Sequence, residues 1–533
     1  MYASEGKILF RVVREAVKTA SITLNVDNPQ ALLVWFDTIK DDDYFTNLQP
    51  WQVVNRLPSI NLICRKAPFV RMIQRISMFA PDYFQFLPKS FILPLQKTEF
   101  LEELNKNSTK KFLVKPDGGS LGSGITIITP NQKYNPTENL SIAQEYVESY
   151  LIDKRKFDLR IYVLIASITP LRIYVFRNGV ARFCSEESGS NSVYSQLTNT
   201  AVNKKNANGD LSQITKMVAD VFEGMKEKGV DIDNLWQKID DAIVFTILAS
   251  YSYLVNGQER QCKPSIYSRC FQILGFDVLL DQNLNPHILE VNYRPSLDTD
   301  TNDEYKMKVI MLSEAMKIAV PLESVQNFVS DDKMEYSHDE WKEFLESKPN
   351  LKIQINKARQ TAEKNSHFAQ VYPSAKPSKN KQYLEVIDKV RHLPTDIQTI
   401  FRLPGMPEPN ALDRYYATLQ KKASQKPSSI KTRALISKDI KDNRTKAASR
   451  MTINKYVGKL ANQSRNHSSL ADKIVLPQPR QVSNTISFSL QMEVDDNSSS
   501  ELPSLQPKNQ PKLNINSKKA IRKPVMKKTV VMK

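Results

Sequence analysis

The chain has 533 residues and a formal net charge of +18, long enough for about three domains with cores of their own and too long for a small disulfide-stapled scaffold. Its four cysteines, Cys64, Cys184, Cys262 and Cys270, show neither Cys-x-x-Cys nor zinc-site spacing and fit a reducing compartment. The apolar part of the longest uncharged run, Ala242 to Val255, is too short to span a bilayer, so a soluble intracellular protein with no membrane partner is expected.

In chain order, 31–37 ("ALLVWFD") reads as a strand, and the basic apolar stretch 61–76 ("NLICRKAPFVRMIQRI") leads toward a helix. A helix is predicted over 97–107 and a strand over 110–116, which runs into "KPDGGSLGSGI". Of the 14 glycines in the chain, Gly118, Gly119, Gly122 and Gly124 crowd into this one loop. Glycines let backbone N–H groups approach a ligand, so such a loop can close over phosphates with Lys115 supplying charge; a flexible hairpin has the same composition. No Gly-Lys-Ser/Thr ends it and no helix follows, which excludes a Walker loop or a Rossmann fingerprint.

Further strands are predicted at 142–147 ("IAQEYV") and 155–166 ("RKFDLRIYVLIA"). In the second, Lys156, Asp158 and Arg160 alternate with Phe157, Leu159 and Ile161, giving one apolar face and one charged face that is either solvated or part of a site. Over 172–183, Asn178-Gly179 signals a type I′ hairpin turn, which would bring Arg177 and Arg182 beside that row for bidentate anion recognition. A helical run is expected over 210–255, and an amphipathic helix over 303–319. Between them "FDVLLDQNLNPHILEVN" reads as a hairpin centred between Asn283 and Leu284, which sets Asp277 opposite Glu290. Asn292, two further on, shares their face, so three oxygen ligands converge on a site fit for a hard cation such as Mg²⁺.

The charge is uneven: residues 1–330 hold 37 Lys+Arg and 37 Asp+Glu, leaving 38 and 20 for residues 331–533. From 326 onward the chain reads as a basic, low-complexity, mostly disordered tail, richest in cations over 421–450. No aromatic residue is interleaved with the cations of 421–450 for base stacking, so nucleic acid is not the expected partner.

The motifs "RK" at 65–66, "KPDGGSLGSGI", "AQEYV", "RKFDLRIYVL", "VFRNGVARF", "LTNTAVNK", and "GFDVLLD" followed by "ILEVNYRPSL" resemble, in that order, the tubulin tyrosine ligase-like family of ATP-grasp ligases. The resemblance implies an α/β (α+β) ATP-grasp fold, with antiparallel sheets enclosing ATP and a basic, largely disordered C-terminal tail. It divides the chain into a small N-terminal α/β domain (1–66), a central domain with the glycine-rich loop (67–150), a catalytic domain (151–325) and the tail (326–533). By the same resemblance Lys66 and Lys115 contact ATP phosphates under the loop from Gly118 to Gly124, and Gln144 with the Tyr146–Val147 backbone holds adenine. Lys156 and Asp158 lie at ribose and phosphate, Arg160 near the γ-phosphate, and Arg182 on the carboxylate of the incoming amino acid. Thr198, Asn199 and Lys204 lie near that amino acid, while Asp277, Glu290 and Asn292 bind Mg²⁺; Arg160, Arg182 and Glu290 carry catalysis.

The wording is closest to the polyglutamylases of the family. That implies ATP-dependent addition of free L-glutamate, through an acyl phosphate and an isopeptide bond, to glutamate side chains in acidic tubulin tails. A cytoplasmic, cytoskeletal monomer is expected, with cilium, flagellar axoneme or basal body as further locations. The alternatives are a glutamylase or glycylase of another acidic protein, or a catalytically silent microtubule-binding relative. The chain departs from the family pattern at Gln196 (a histidine is usual), Ala67 (an acid is usual) and Tyr293-Arg294.

Overall fold

Short runs at the N-terminus pair as strands in the computed structural model: β1 (Tyr2–Lys7), β2 (Thr23–Val26), β3 (Leu33–Phe36) and β4 (Val53–Val54) form a parallel sheet in the order β2-β1-β3-β4, with β-branched and aromatic residues concentrated in β3 and β4. All of β3 is buried, as a parallel strand covered on both faces must be. The structure describes residues 2–391 except 8–9, 27, 38–42, 107–108, 119–121, 130–131, 133, 135–138, 191 and 209. A second sheet is antiparallel, in the order β5-β8-β6-β7, from β5 (Ser90–Leu93), β6 (Phe112–Pro116), β7 (Thr126–Ile128) and β8 (Ser141–Glu145).

The third sheet holds β9 (Leu151–Ile152), β10 (Arg155–Ile168), β11 (Leu171–Phe183), β12 (Thr215–Met217), β13 (Gln272–Leu280), β14 (Pro286–Asn292) and β15 (Phe368–Tyr372). Its main order is β12-β11-β10-β13-β14, with β15 beside β11 and β9 beside β10. Period-2 alternation gives its faces to two different cores. Phe157, Leu159, Ile161, Val163 and Ile165 of β10 enter one core with the helices Lys66–Ser77, Ile232–Ala249 and Pro377–Arg391, whereas Tyr162, Leu164 and Ala166 enter another with the helices Arg11–Thr19, Asn302–Ala319 and His338–Glu346. On that second face the apolar residues stop at Tyr162, and Arg160, Asp158 and Lys156 continue the row. Asp158 and Lys156 are buried, so this is no solvated outer face.

Three expectations need correction. Asn178-Gly179 does not turn the chain: the β10–β11 connection is Thr169-Pro170, and β11 runs through 178–179 as a bulge, its pairing shifting from Ile161↔Gly179 to Val163↔Val175. The Asn178 side chain accepts from the amides of Gly179 (2.8 Å) and Ala219 (3.0 Å), and a Cβ on Gly179 would lie 2.2 Å from the Arg160 carbonyl oxygen; a close approach, not a turn, needs the glycine. The helical run over 210–255 is broken into Val218–Glu227, Ile232–Ala249 and Tyr251–Gln261, preceded by β12. The tail does not begin at 326: His338–Glu346, Leu351–Lys364, β15 and Pro377–Arg391 follow, and bury Trp341, Leu345, Leu351, Val371, Tyr383 and Val386. Residues 392–533, the cation-rich 421–450 among them, lie outside the described residues.

Candidate active site

A cleft of about 790 Å³ lies where β6 and β8 of the second sheet face β10, β13 and β14 of the third. Strand alternation aims Lys115 and Leu113 of β6 into it, while Lys156 and Asp158 of β10 and Asp277 and Leu279 of β13 form the opposite wall. Lys66, first residue of its helix, enters from the side with Glu290 of β14. Gln144, Val147, Arg182, Thr198, Asn199 and Gly122 complete the expected residues among its walls.

Asp277 pairs with Glu290 as expected, and Asn292 with Gly275, but the hairpin is not symmetric throughout: nearer the turn the pairs are Val278↔Ile288 and Leu280↔Pro286, and the register shifts between Asp277 and Val278. Burial pushes the Asp277 carboxyl up, but the Arg160 and Arg182 guanidiniums more than reverse this and hold it well below the usual carboxylate range. Arg160 meets Asp277 through Nε at 2.5 Å and a second nitrogen at 3.1 Å, and Arg182 lies 2.9 Å from the same carboxylate while also pairing with Asp158. Glu290 sits 3.4 Å from the Lys66 ammonium and accepts from Asn292 Nδ2 at 3.3 Å.

Lys115 and Lys156 differ from these ion pairs. Both are buried, and neither has a carboxylate in salt-bridge contact among the described residues; Lys115 donates to Gln144 Oε1 at 2.7 Å, and Lys156 lies 3.7 Å over the Tyr146 ring and 3.4 Å from the Val147 carbonyl oxygen. Burial pushes both ammoniums down to about 8. Two desolvated cations facing one cleft are what a polyanion would stabilise, so the residues fit the triphosphate of ATP. Asp277, Glu290 and the Asn292 amide are oxygen donors of the kind a hard divalent cation takes. No group of three or more His, Cys, Asp or Glu side chains able to hold a metal occurs among the described residues, so the amide is integral to that fit.

Some expected residues fall elsewhere. Gly118 is exposed at the loop's start, and Gly119 lies outside the described residues. Gly124 has φ +70°, and a Cβ there would lie 2.9 Å from Pro116, so the turn requires glycine. Lys204 is half exposed on the short helix Thr200–Asn206, 3.7 Å from Asp300. Arg65 and Asp117 fall inside the quoted motifs, where sequence reasoning assigns them no role; they form an ion pair beside the cleft, Asp117 buried and Arg65 partly so. Gln196 lines the cleft, its Nε2 donating to the Ser190 carbonyl at 3.2 Å.

Two antiparallel sheets closing a cleft lined by desolvated lysines and guanidinium-held acids define a site whose residues fit a polyanion. The chain belongs to the tubulin-tyrosine ligase family, whose model matches residues 45–328. It is similar to tubulin polyglutamylase TTLL7 of Xenopus tropicalis, 31% identical over 350 residues (58% of this chain, 38% of that protein), and to tubulin polyglutamylase TTLL6 of Mus musculus, 30% identical over 369 residues (65% and 43%). A protein of Tetrahymena thermophila named probable beta-tubulin polyglutamylase is 29% identical over 304 residues (54% and 25%). The chain thus spans about two fifths of the length of the first two relatives and a quarter of the third.

Proposed function

We propose that the chain is an ATP-grasp ligase that uses ATP and Mg²⁺ to join free L-glutamate, through isopeptide bonds, to glutamate side chains in the acidic C-terminal tails of tubulin. The observation that carries the reading is the juxtaposition of Lys115 and Lys156, buried without a carboxylate in salt-bridge contact among the described residues, with an Asp277–Glu290 pair on adjoining strands. Family membership and the polyglutamylase relatives supply the reaction class and the acceptor.

In this reading Lys66, Lys115 and Lys156 hold phosphate oxygens under the glycine-rich loop, and Gln144 with the Tyr146–Val147 backbone takes the adenine. Asp277, Glu290 and Asn292 would hold Mg²⁺, which would supply neutralisation of charge on the phosphoryl oxygens. Arg160 and Arg182, already oriented by Asp158 and Asp277, add fixed cations that need little reorganisation during phosphoryl transfer to the acceptor carboxylate. Arg182, Thr198 and Asn199 stand on the side where the incoming amino acid would enter, with the half-exposed Lys204 outside. The site of action is the cytoplasm and its cytoskeleton, cilia and axonemes among its tubulin structures, and the working unit is a monomer.

The test is incorporation of radiolabelled glutamate into tubulin by the full chain with Mg-ATP, with unlabelled glycine and tyrosine as competitors. Glutamate incorporation resistant to both competitors supports the reading. Competition by glycine, or labelling of other acidic proteins in preference to tubulin, would redirect it.

A further inference from the structure

The helix Lys66–Ser77 begins without the side-chain cap its backbone calls for. Its N-cap residue, Arg65, makes no side-chain cap hydrogen bond, and its first turn carries no acidic residue; Ala67 stands where the family pattern has an acid. The exposed N–H groups at a helix start need an acceptor when they are buried. Asp117 supplies one from another part of the chain: its buried carboxylate accepts the Ala67 amide at 2.8 Å through one oxygen, and pairs with the Arg65 guanidinium through the other. Asp117 directly follows β6 at the mouth of the glycine-rich loop, and its own amide donates to the Leu140 carbonyl at 3.1 Å, which fixes its backbone.

Asp117 is therefore two residues from Lys115 and bonded to both neighbours of Lys66. The two lysines come from separate elements, a helix start and a strand of the second sheet, and both face the cleft. We infer that Asp117 is a positioning residue that caps the helix Lys66–Ser77 from the mouth of the glycine-rich loop and thereby sets Lys66 against Lys115 for one polyanion. The inference rests on the nucleotide reading of the cleft. Asp117 touches no substrate in this account; it acts through where it places the Lys66 ammonium.

The experiment measures Mg-ATP affinity by calorimetry on the full chain for wild type, Asp117→Asn, Asp117→Ala, Lys66→Ala and the Asp117→Asn/Lys66→Ala double variant. Asparagine keeps an acceptor for the Ala67 amide and loses the ion pair with Arg65; alanine loses both. Affinity should weaken about threefold in the first and about tenfold in the second, and the Asp117→Asn effect should shrink below about twofold once Lys66 is already alanine. A merely structural defect would weaken binding by the same factor in both backgrounds, and that result overturns the inference. So does an unchanged affinity in Asp117→Asn while Lys66→Ala binds poorly. If Asp117→Ala fails to give a cooperative melt, the asparagine cycle decides alone. A wild-type chain that binds no Mg-ATP overturns the nucleotide reading itself, and Lys66→Ala binding like wild type overturns the phosphate role of Lys66; either removes the basis of the inference.

Discussion

Arg182 on β11 lies directly opposite Asp158 on β10 and reaches past it to Asp277 on β13, 2.9 Å away, so one guanidinium joins three neighbouring strands at the cleft wall. Arg160 holds Asp277 from the other side. The acid expected to meet the metal is thus neutralised by the protein itself.

That arrangement gives Arg182 a structural role. Its side chain is only 12% exposed, and Arg182→Ala would leave the buried Asp158 partnerless and Asp277 with a single cation. Breaking a buried pair on one side costs about 3–5 kcal/mol, so the urea midpoint should fall markedly. Arg182→Lys keeps the charge without the fork; it should fold, raise the glutamate KM severalfold and leave Mg-ATP affinity nearly unchanged. An Ala variant with a wild-type midpoint would show that these pairs contribute no net stability.

The low proton affinity of Lys115 and Lys156 predicts opposite pH trends for binding and for folding. Burial holds both near 8 against an ordinary 10.5, so as pH rises through about 8 the cleft loses cationic charge. Mg-ATP affinity should decline from pH 7 to 9, and binding at pH 8.5 should take up protons, readable by calorimetry in buffers of different ionisation enthalpy. For folding the sign reverses. Between about 8 and 10.5 the unfolded chain binds more protons than the folded one, so these two groups make the ligand-free fold more stable as pH rises across that window. Proton release on binding at pH 8.5 would contradict the assignment.

The Asp277–Glu290 pairing was legible in the sequence because a short polar turn separates the two strands, although the pairs nearest the turn sit one residue off the symmetric register and a shift between Asp277 and Val278 brings the two acids opposite each other. Asn178-Gly179 misled because the same dipeptide that makes a hairpin turn also serves a bulge when a third segment, here Ala219, completes its hydrogen bonds. The helices after 326 were hidden by averaging: cations such as Lys352, Lys357 and Lys364 dominate the composition, while Trp341, Leu345 and Leu351 face inward. Asp117 could not be found at all, since its cap joins residues fifty apart.

Those later helices should be indispensable, although the family match ends at 328. Trp341 stacks edge-on against Trp51 at 5.7 Å, the Tyr383 hydroxyl donates to Asp241 at 2.9 Å, and β15 extends the third sheet beside β11. Each large apolar side chain returned to water costs about 1.5–3 kcal/mol, and several together exceed the whole stability of a typical domain, about 5–15 kcal/mol. A chain ending at 328 should therefore be insoluble or lack a cooperative melt, whereas one ending at 391 should melt cooperatively. Comparable melting of the two would mean that residues 329–391 are an accessory layer.

Glu290 offers the sharpest separation of metal ligand from structural acid, because its environment differs from that of its partner Asp277. The Asp277 side chain is 4% exposed between two arginines; that of Glu290 is 29% exposed, with Lys66 at 3.4 Å and Asn292 beside it. Glu290→Gln keeps the size and an oxygen for both the Asn292 amide and the Lys66 ammonium, so the ligand-free melting temperature should move little. Asp277→Asn, by contrast, uncouples two arginines and should destabilise the fold. What Glu290→Gln removes is the negative charge a hard cation needs. Ligand stabilisation follows RT ln(1 + [L]/Kd), about 2.7 kcal/mol at a hundredfold excess over Kd, so loss of the Mg-ATP shift is readily seen in a melting curve. Incorporation of labelled glutamate should drop to background in the same preparation. A Glu290→Gln protein that kept the full Mg-ATP shift and a near wild-type incorporation rate would remove Glu290 from the metal site and leave it a surface partner of Lys66.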